Sequence, residues 1–205
     1  MNLAGVDRLY GIKDKSEATV NVVEDSVDNL HELVDLTTDD LQGVSTTSSQ
    51  ITTILSNLNT KYGWYIRLNQ NSGEKVLAPA LAFVEVYFTT YAPVTTVVAN
   101  PCSPASQTTA RVYLVSNKTG EAVKNFDTSN DKTVTTNTRA KDSAVEILMA
   151  SDRGMAMGSG IPSGVVLAIT AGDEVTALMG CGGSLCAPPP PPAPSTIPIY
   201  WKMLL

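Results

Sequence analysis

Two cysteines with four residues between them are the first chemistry the chain offers. In Cys181-Gly-Gly-Ser-Leu-Cys186 the two glycines let the chain turn and the sulfurs meet, and a disulfide there implies an oxidising compartment. Two other outcomes stay open. Zinc would need Cys102 and His31 to complete a ligand set, and neither has paired spacing. Three reduced, partly buried thiols are the second. An odd third cysteine, Cys102 in Asn-Pro-Cys-Ser-Pro, points to a missing partner upstream.

Catalytic constellations are harder to assemble. His31 is the single histidine, it lies near Asp28, Glu32 and Asp35, and no nucleophile elbow accompanies it. Gly154-Met-Ala-Met-Gly-Ser-Gly160 has the glycines of a phosphate-binding loop but not the lysine that grips phosphate. It reads as a tight connection between structural units, with Met155 and Met157 filling gaps. Asp39 and Asp40 are adjacent, so their carboxylates point apart in a helix or a strand. The expectation is a protein that is not an enzyme.

Composition narrows the class. The 205 residues are 43% hydrophobic and 17% charged, enough to bury a core. A net charge of −6, with no concentrated basic stripe, argues against a nucleic-acid partner. Thr, Ser, Val and Asn fill the charge gap, as in a secreted, β-rich surface protein. The longest apolar run, beginning at Gly164-Val-Val-Leu-Ala-Ile-Thr, is far short of the ~20 residues of a membrane helix. Residues 1–15 hold Asp7, Arg8, Lys13 and Asp14, which is no signal-peptide core. The chain either stays inside the cell or is the back part of a longer exported one.

Periodicity places the elements. Residues 1–60 read as an irregular, partly helical lead-in: a strand at Thr19–Glu24, a short helix at Asp25–Leu36, and a polar loop at Thr37–Gln50. Ile51, Ile54, Leu55 and Leu58 fit either helical turns or a ragged strand. From residue 61 to 205 the pattern is strand and turn. Gly63-Trp64-Tyr65-Ile-Arg-Leu68 reads as one arm of a hairpin, Asn69–Gly73 as its turn, and Glu74–Leu77 as the return. Leu81–Thr90 is apolar on both faces, so it reads as a central buried strand. Strands follow at 110–116, 144–149 and 165–170. Asp127–Asp142 is an exposed polar excursion. Residues 187–195 form a Pro-rich loop, a polyproline II spacer or a ligand for an SH3-like groove. Residues 197–204 form a last strand pinned by Trp201.

The hairpin theme recurs. Ser72-Gly73-Glu74-Lys-Val, Thr119-Gly120-Glu-Ala-Val and Ala171-Gly172-Asp-Glu-Val each follow a strand, and the glycines are spaced by 47 and 52 residues. A period near ~40–50 with several strands per unit is the signature of propeller blades, small sheets that stack because none can cover its own apolar face. The expectation is a mainly β protein, a partial β-propeller holding the last few blades.

The ordered set of these elements resembles the C-terminal domain of the type IV pilus tip-associated adhesins, the PilY/PilC family. The matching stretches run almost the length of the chain: Leu9-Tyr-Gly-Ile-Lys-Asp14, Lys61 to Leu68, Ser72 to Val76, Tyr87-Phe-Thr-Thr90 followed by Pro93 and Pro101-Cys102, Arg111 to Gly120, Gly160-Ile-Pro-Ser163 and Ile199-Tyr-Trp-Lys-Met-Leu204. The resemblance implies a large exported protein at the cell surface that primes pilus assembly, opposes retraction and mediates adhesion. Its partners would be pilins or minor pilins and a host or abiotic surface.

The match departs from the family in several places. The early blades and the long N-terminal region are absent, and so is an Arg-Gly-Asp motif. Calcium-binding members use an EF-hand-like loop. Its nearest counterpart here offers oxygens at Asp127, Ser129 and Asp131, but has Lys132 in place of the loop glycine and Thr138 in place of the bidentate glutamate. The structural motif residues carried over are Gly63, Trp64, Tyr65, Gly73, Glu74, Gly120 and Trp201. The Thr/Ser-rich loops at 37–50, 94–109 and 127–142 would make the contacts. A quinoprotein-like propeller oxidoreductase and a generic secreted β-rich binding domain are the alternatives. Partial stacking leaves exposed sheet edges, which would pair with another chain or make the isolated protein poorly soluble.

Overall fold

A computed structural model describes residues 6–13, 33–38, 41–42, 46–82, 85–93, 108–127, 129, 133–134, 145–146, 148–169, 175–188 and 190. The chain is mainly β with one helix among these residues. Strands β1 (Arg8–Ile12) and β2 (Leu33–Asp35) flank β3 (Gly63–Arg67), β1 antiparallel and β2 parallel to it. Between β2 and β3 lies helix α1, Ser48–Thr60.

The helix resolves the ambiguous run at Ile51–Leu58. Thr47 and Gln50 form a reciprocal capping box: Gln50 N donates to Thr47 Oγ1 at 3.3 Å, and Thr47 N donates to Gln50 Oε1 at 2.8 Å. Two orphan donors of the first turn are thereby satisfied. Ile51, Ile54 and Leu58 then fall on one face and pack into the core.

The second sheet is built from β4 (Lys75–Val76), β5 (Leu81–Ala82), β6 (Val86–Pro93) and β7 (Thr108–Val115). A separate two-stranded ribbon pairs β8 (Thr133–Val134) with β9 (Val145–Glu146). After a 3-10 turn at Ala150–Arg153, β10 (Gly154–Gly158) closes the second sheet in the order β10-β7-β6-β4, with β5 also on β6. Every pair in it is antiparallel. The third sheet is an antiparallel meander of β11 (Val166–Ile169), β12 (Val175–Cys181) and β13 (Ser184–Cys186).

The second sheet is the middle layer. Because β side chains alternate faces, Phe88, Tyr113 and Val115 meet Trp64, Ile66, Leu68 and Leu58 from the first sheet and helix. Tyr87, Val112 and Leu114 point the other way, onto Val165, Ala177 and Met179 of the third-sheet side. This is why the 81–90 segment is apolar on both faces.

Several expectations are corrected. Residues 63–77 are not a hairpin. Strand β3 pairs with β1 and β2, whereas β4 pairs with β6, so the turn at Gly73 carries the chain from one sheet to the next. Leu81–Thr90 is two strands, since Leu81 pairs back onto Tyr87, and β6 runs on to Pro93. Leu33–Asp35 is a strand held parallel to β3, not the end of a helix. Gly154–Gly158 is an edge strand with a bulge between Ala156 and Gly158, not a connection, although Met155 and Met157 do pack against the core. Ser48–Gln50 belongs to α1, and Leu41 is buried, so 37–50 is not wholly a surface loop. The repeated glycines also serve different ends. Gly73 and Gly120 hold positive φ at 72° and 62°, the first between sheets and the second where Ala122 bridges back to Val115. Thr19–Glu24, Asp25–Glu32, Cys102, Gly172 and the 197–204 strand lie outside the described residues.

One side chain joins the first two layers. The Trp64 indole lies against Gly11 of β1, its register partner, and against Gly120 from the turn after β7. A Cβ on Gly11 would overlap the indole, and one on Gly120 would come within 2.9 Å of it. Gly63 sits at φ 149°, and a Cβ there would collide with the Gly11 carbonyl oxygen, so only glycine fits. Gly11→Ala should therefore cost about 1–3 kcal/mol by overpacking the ring. Urea unfolding would show a lower midpoint at unchanged slope; an unaltered midpoint would contradict the packing.

Candidate interaction surface

Glu74, singled out in the Ser-Gly-Glu-Lys-Val motif, is only 2% exposed. Its Oε1 accepts from Thr90 Oγ1 of β6 at 2.5 Å and from the Tyr113 hydroxyl of β7 at 2.6 Å. Its Oε2 accepts from Asn71 N at 3.2 Å, closing the turn that delivers it. A buried carboxylate persists only when its lone pairs are met, and here three donors from three segments meet them. Burial raises the Tyr113 pKa, and the neighbouring Glu74 charge raises it further, against a smaller opposing pull from Arg111. Tyr113 therefore stays protonated and donates. Its ring stacks on Phe88 at 4.7 Å. It also covers Gly154 in the adjacent strand, where a Cβ would lie 2.6 Å from the ring. Thr90 and Tyr113 lie in stretches that the sequence singles out, but nothing local pairs them with Glu74, because register sets those contacts across 16 and 39 residues.

The outer face of the first sheet is polar and aromatic. Arg8, Tyr10 and Ile12 of β1 stand opposite Arg67, Tyr65 and Gly63 of β3. Asp35 of β2 accepts from Thr37 N (3.0 Å) and Thr37 Oγ1 (2.5 Å) on one oxygen. The other oxygen accepts from the Tyr65 hydroxyl (2.9 Å) and from Arg67 (3.1 Å). Partial burial works to raise the Asp35 pKa, but the bonds from Thr37 and Tyr65 and the Arg67 charge outweigh it and hold it low. Arg8 and Arg67 sit 5.6 and 6.0 Å from the Tyr65 centroid, and Tyr10 tilts against the same ring at 6.1 Å. The Gly-Trp-Tyr strand motif thus contributes to one surface patch.

Polar groups tie the layers at other points. Arg153 donates to Leu36 O at 2.7 Å and Thr37 O at 3.1 Å, anchoring the 3-10 turn to the end of β2. Gln42 pairs with Ala122 like a strand residue, donating at 3.0 Å and accepting at 2.7 Å. In the Gly160–Ser163 motif, Gly160 N donates to Thr108 Oγ1 (2.7 Å) and Ser163 N to Gly180 O (3.0 Å). Ser163 also accepts from Thr89 through its carbonyl (3.0 Å) and from Gly180 N through its hydroxyl (2.8 Å). That motif binds the second sheet to the third.

Cys181 and Cys186 are joined, with Cα atoms 6.0 Å apart, across the β12–β13 hairpin. Gly182 and Gly183 both take positive φ, at 55° and 84°, the demand of a two-residue primed turn. A pair at disulfide distance is consistent with an oxidising surrounding. In the 127–131 segment, both Ser129 N and Ser129 Oγ donate to Asp127 Oδ1, and these bonds lower the Asp127 pKa. Asp131 and Trp201 lie outside the described residues. Among the described residues no three His, Cys, Asp or Glu side chains are grouped for a metal, and no helix is long and apolar enough to cross a membrane. Beside α1, Thr46, Ser49, Gln50, Thr53 and Ile54 line a shallow hydroxyl-rich groove of about 240 Å³.

No protein-family model, curated protein or solved structure matches the chain.

The geometry has consequences for stability and labelling. Glu74→Leu leaves the Tyr113 and Thr90 hydroxyls buried without an acceptor, so the folded state should lose about 2–4 kcal/mol in chemical denaturation; a loss under about 0.5 kcal/mol would contradict the network. For Asp35 the folded pKa is depressed, so its contribution is present above the unfolded carboxylate value and is lost as pH falls through the lower folded one. Wild type should exceed Asp35→Asn by about 1 kcal/mol near neutrality, the gap closing below about pH 4; a gap that stays constant with pH would contradict this. Alkylation after reduction should add two more labels than alkylation before it, and equal labelling would exclude the Cys181–Cys186 bond.

Proposed function

We propose that the chain is a non-enzymatic module of a type IV pilus tip-associated protein, acting in pilus assembly, retraction control and surface adhesion, as its resemblance to the PilY/PilC family implies. The observation that carries this reading is the stacking. Three sheets lean face to face, and the middle one orders β4, β6, β7 and β10 with every pair antiparallel, which supports reading it as a small stacked unit of the kind a propeller repeats. On this reading the chain holds blades of a partial propeller. The family-like motifs support it because their residues work inside the sheets and between them: Gly11 on Trp64 and Glu74 under Tyr113 within a sheet, Gly120 on Trp64 between the first and second, and Gly160–Ser163 between the second and third.

The outer side of the third sheet adds to the support. Val166 and Leu185, with Ile161 nearby in sequence, are exposed apolar residues on or beside that sheet. An apolar face left open by the described residues calls for a neighbour. The disulfide favours an exported protein working at the cell surface, where minor pilins and the adhesion target would be met. Rigid layers resist pulling while the Thr/Ser-rich loops make the contacts. Deleting the coding frame in its own cell should abolish surface pili seen by electron microscopy and surface motility. Normal piliation in the deletion strain would overturn the proposal.

A further inference from the structure

Strand β1 ends the first sheet among the described residues, pairing with β3 alone. Antiparallel ladders alternate between pairs that exchange both backbone bonds and pairs that exchange none. Leu68 N donates to Asp7 O and Lys13 N to Tyr62 O, each at 2.8 Å. Residues 7, 9, 11 and 13 therefore bond toward β3, and the N–H and C=O groups of Arg8, Tyr10 and Ile12 point outward. Among the described residues, Arg8–Ile12 has no proline, no lysine and no bulge to close this edge.

Side chains at the same three positions share the outer face. Tyr10 is 44% and Ile12 60% exposed, which makes a seat for apolar side chains. Arg8 faces Arg67 in register, and among the described residues the carboxylate on this face, Asp35, is ion-paired to Arg67 at 3.1 Å. Two opposed cations with one anion leave a charge that an incoming acidic group would neutralise. A second copy of β1, centred on Tyr10, would instead place Ile12 opposite Arg8 and leave that cation unmatched.

We propose that β1 accepts an extended strand from a partner protein by antiparallel edge addition, the strand reading apolar, any, apolar, any, Asp or Glu. Its two apolar residues lie opposite Ile12 and Tyr10, and its carboxylate lies opposite Arg8. Main-chain bonds supply the affinity and the three side-chain positions supply the choice of partner. The inference stands on the edge geometry and is independent of the pilus reading.

The test uses the full chain and a fluorescein-labelled peptide, Ser-Ile-Thr-Val-Thr-Glu-Ser, followed by fluorescence anisotropy. Wild type should bind it about tenfold more tightly than the peptide with Lys replacing Glu. Arg8→Glu should invert that preference. Tyr10→Pro removes an outward N–H that β3 does not use, so it should abolish binding while the circular dichroism spectrum stays that of wild type. If Tyr10→Pro unfolds the chain, the Arg8→Glu inversion decides alone. No binding, equal binding of both peptides, no inversion in Arg8→Glu, or a wild-type dimer that Arg8→Glu dissolves would each overturn the proposal.

Discussion

An indole ring pressed between two bare stretches of backbone sets the spacing of this protein. Trp64 is buried at the centre of the first core cluster, with Gly11 on one side and Gly120 on the other. Sheets whose backbones carry side chains stand about 10 Å apart. The glycines let the strand β1 and the turn after β7 approach the ring directly. Layer one and layer two thus meet closely at this aromatic contact, and Gly63, at φ 149°, lets β3 pass beneath β1 without a Cβ in the way. Register follows, since sliding β1 by one residue would set Tyr10 or Ile12 over the indole.

Around that contact the protein uses polar groups where a simpler core would use apolar ones. Glu74, Arg153 and Gln42 each bond to partners on other segments, and each bond has a strict direction. Hydrophobic surfaces tolerate sliding, whereas a carboxylate that must meet Thr90, Tyr113 and Asn71 together does not. Such groups contribute little net energy when satisfied but make misaligned stacks costly. The third sheet relies on the same device through Ser163 and on a hairpin whose two turn glycines and cystine hold it closed.

Much of this was legible in the residues. Branched and aromatic runs marked β3, β6, β7 and β11, the two-faced apolarity of Leu81–Thr90 marked the middle layer, and Cys-Gly-Gly-Ser-Leu-Cys marked the turn that the disulfide closes. Pairing was not legible. Gly63–Leu77 looks like a hairpin because adjacent strands usually pair, but Trp64 takes its neighbours from residues 8–12 and 33–35, and nothing local encodes that choice. Leu33–Asp35 fell into an apparent helical period because three residues are too few to show alternation. Helix α1 was available from Thr47 and Gln50, a capping box that the surrounding Thr/Ser tract obscured. The Glu74 partners were hidden by distance along the chain, and the patch at Tyr65 by the parallel strand that brings Asp35 to it.

The central claim is that the three layers form one body, each sheet covered by the next. Native-state hydrogen exchange tests it most directly. Amides of β3, β6, β7 and β12 should exchange through a common opening whose free energy falls with urea at the slope of global unfolding. If the β12 amides exchanged through a separate, far smaller and urea-independent opening, the third sheet would be an appendage and the stacked account would fail.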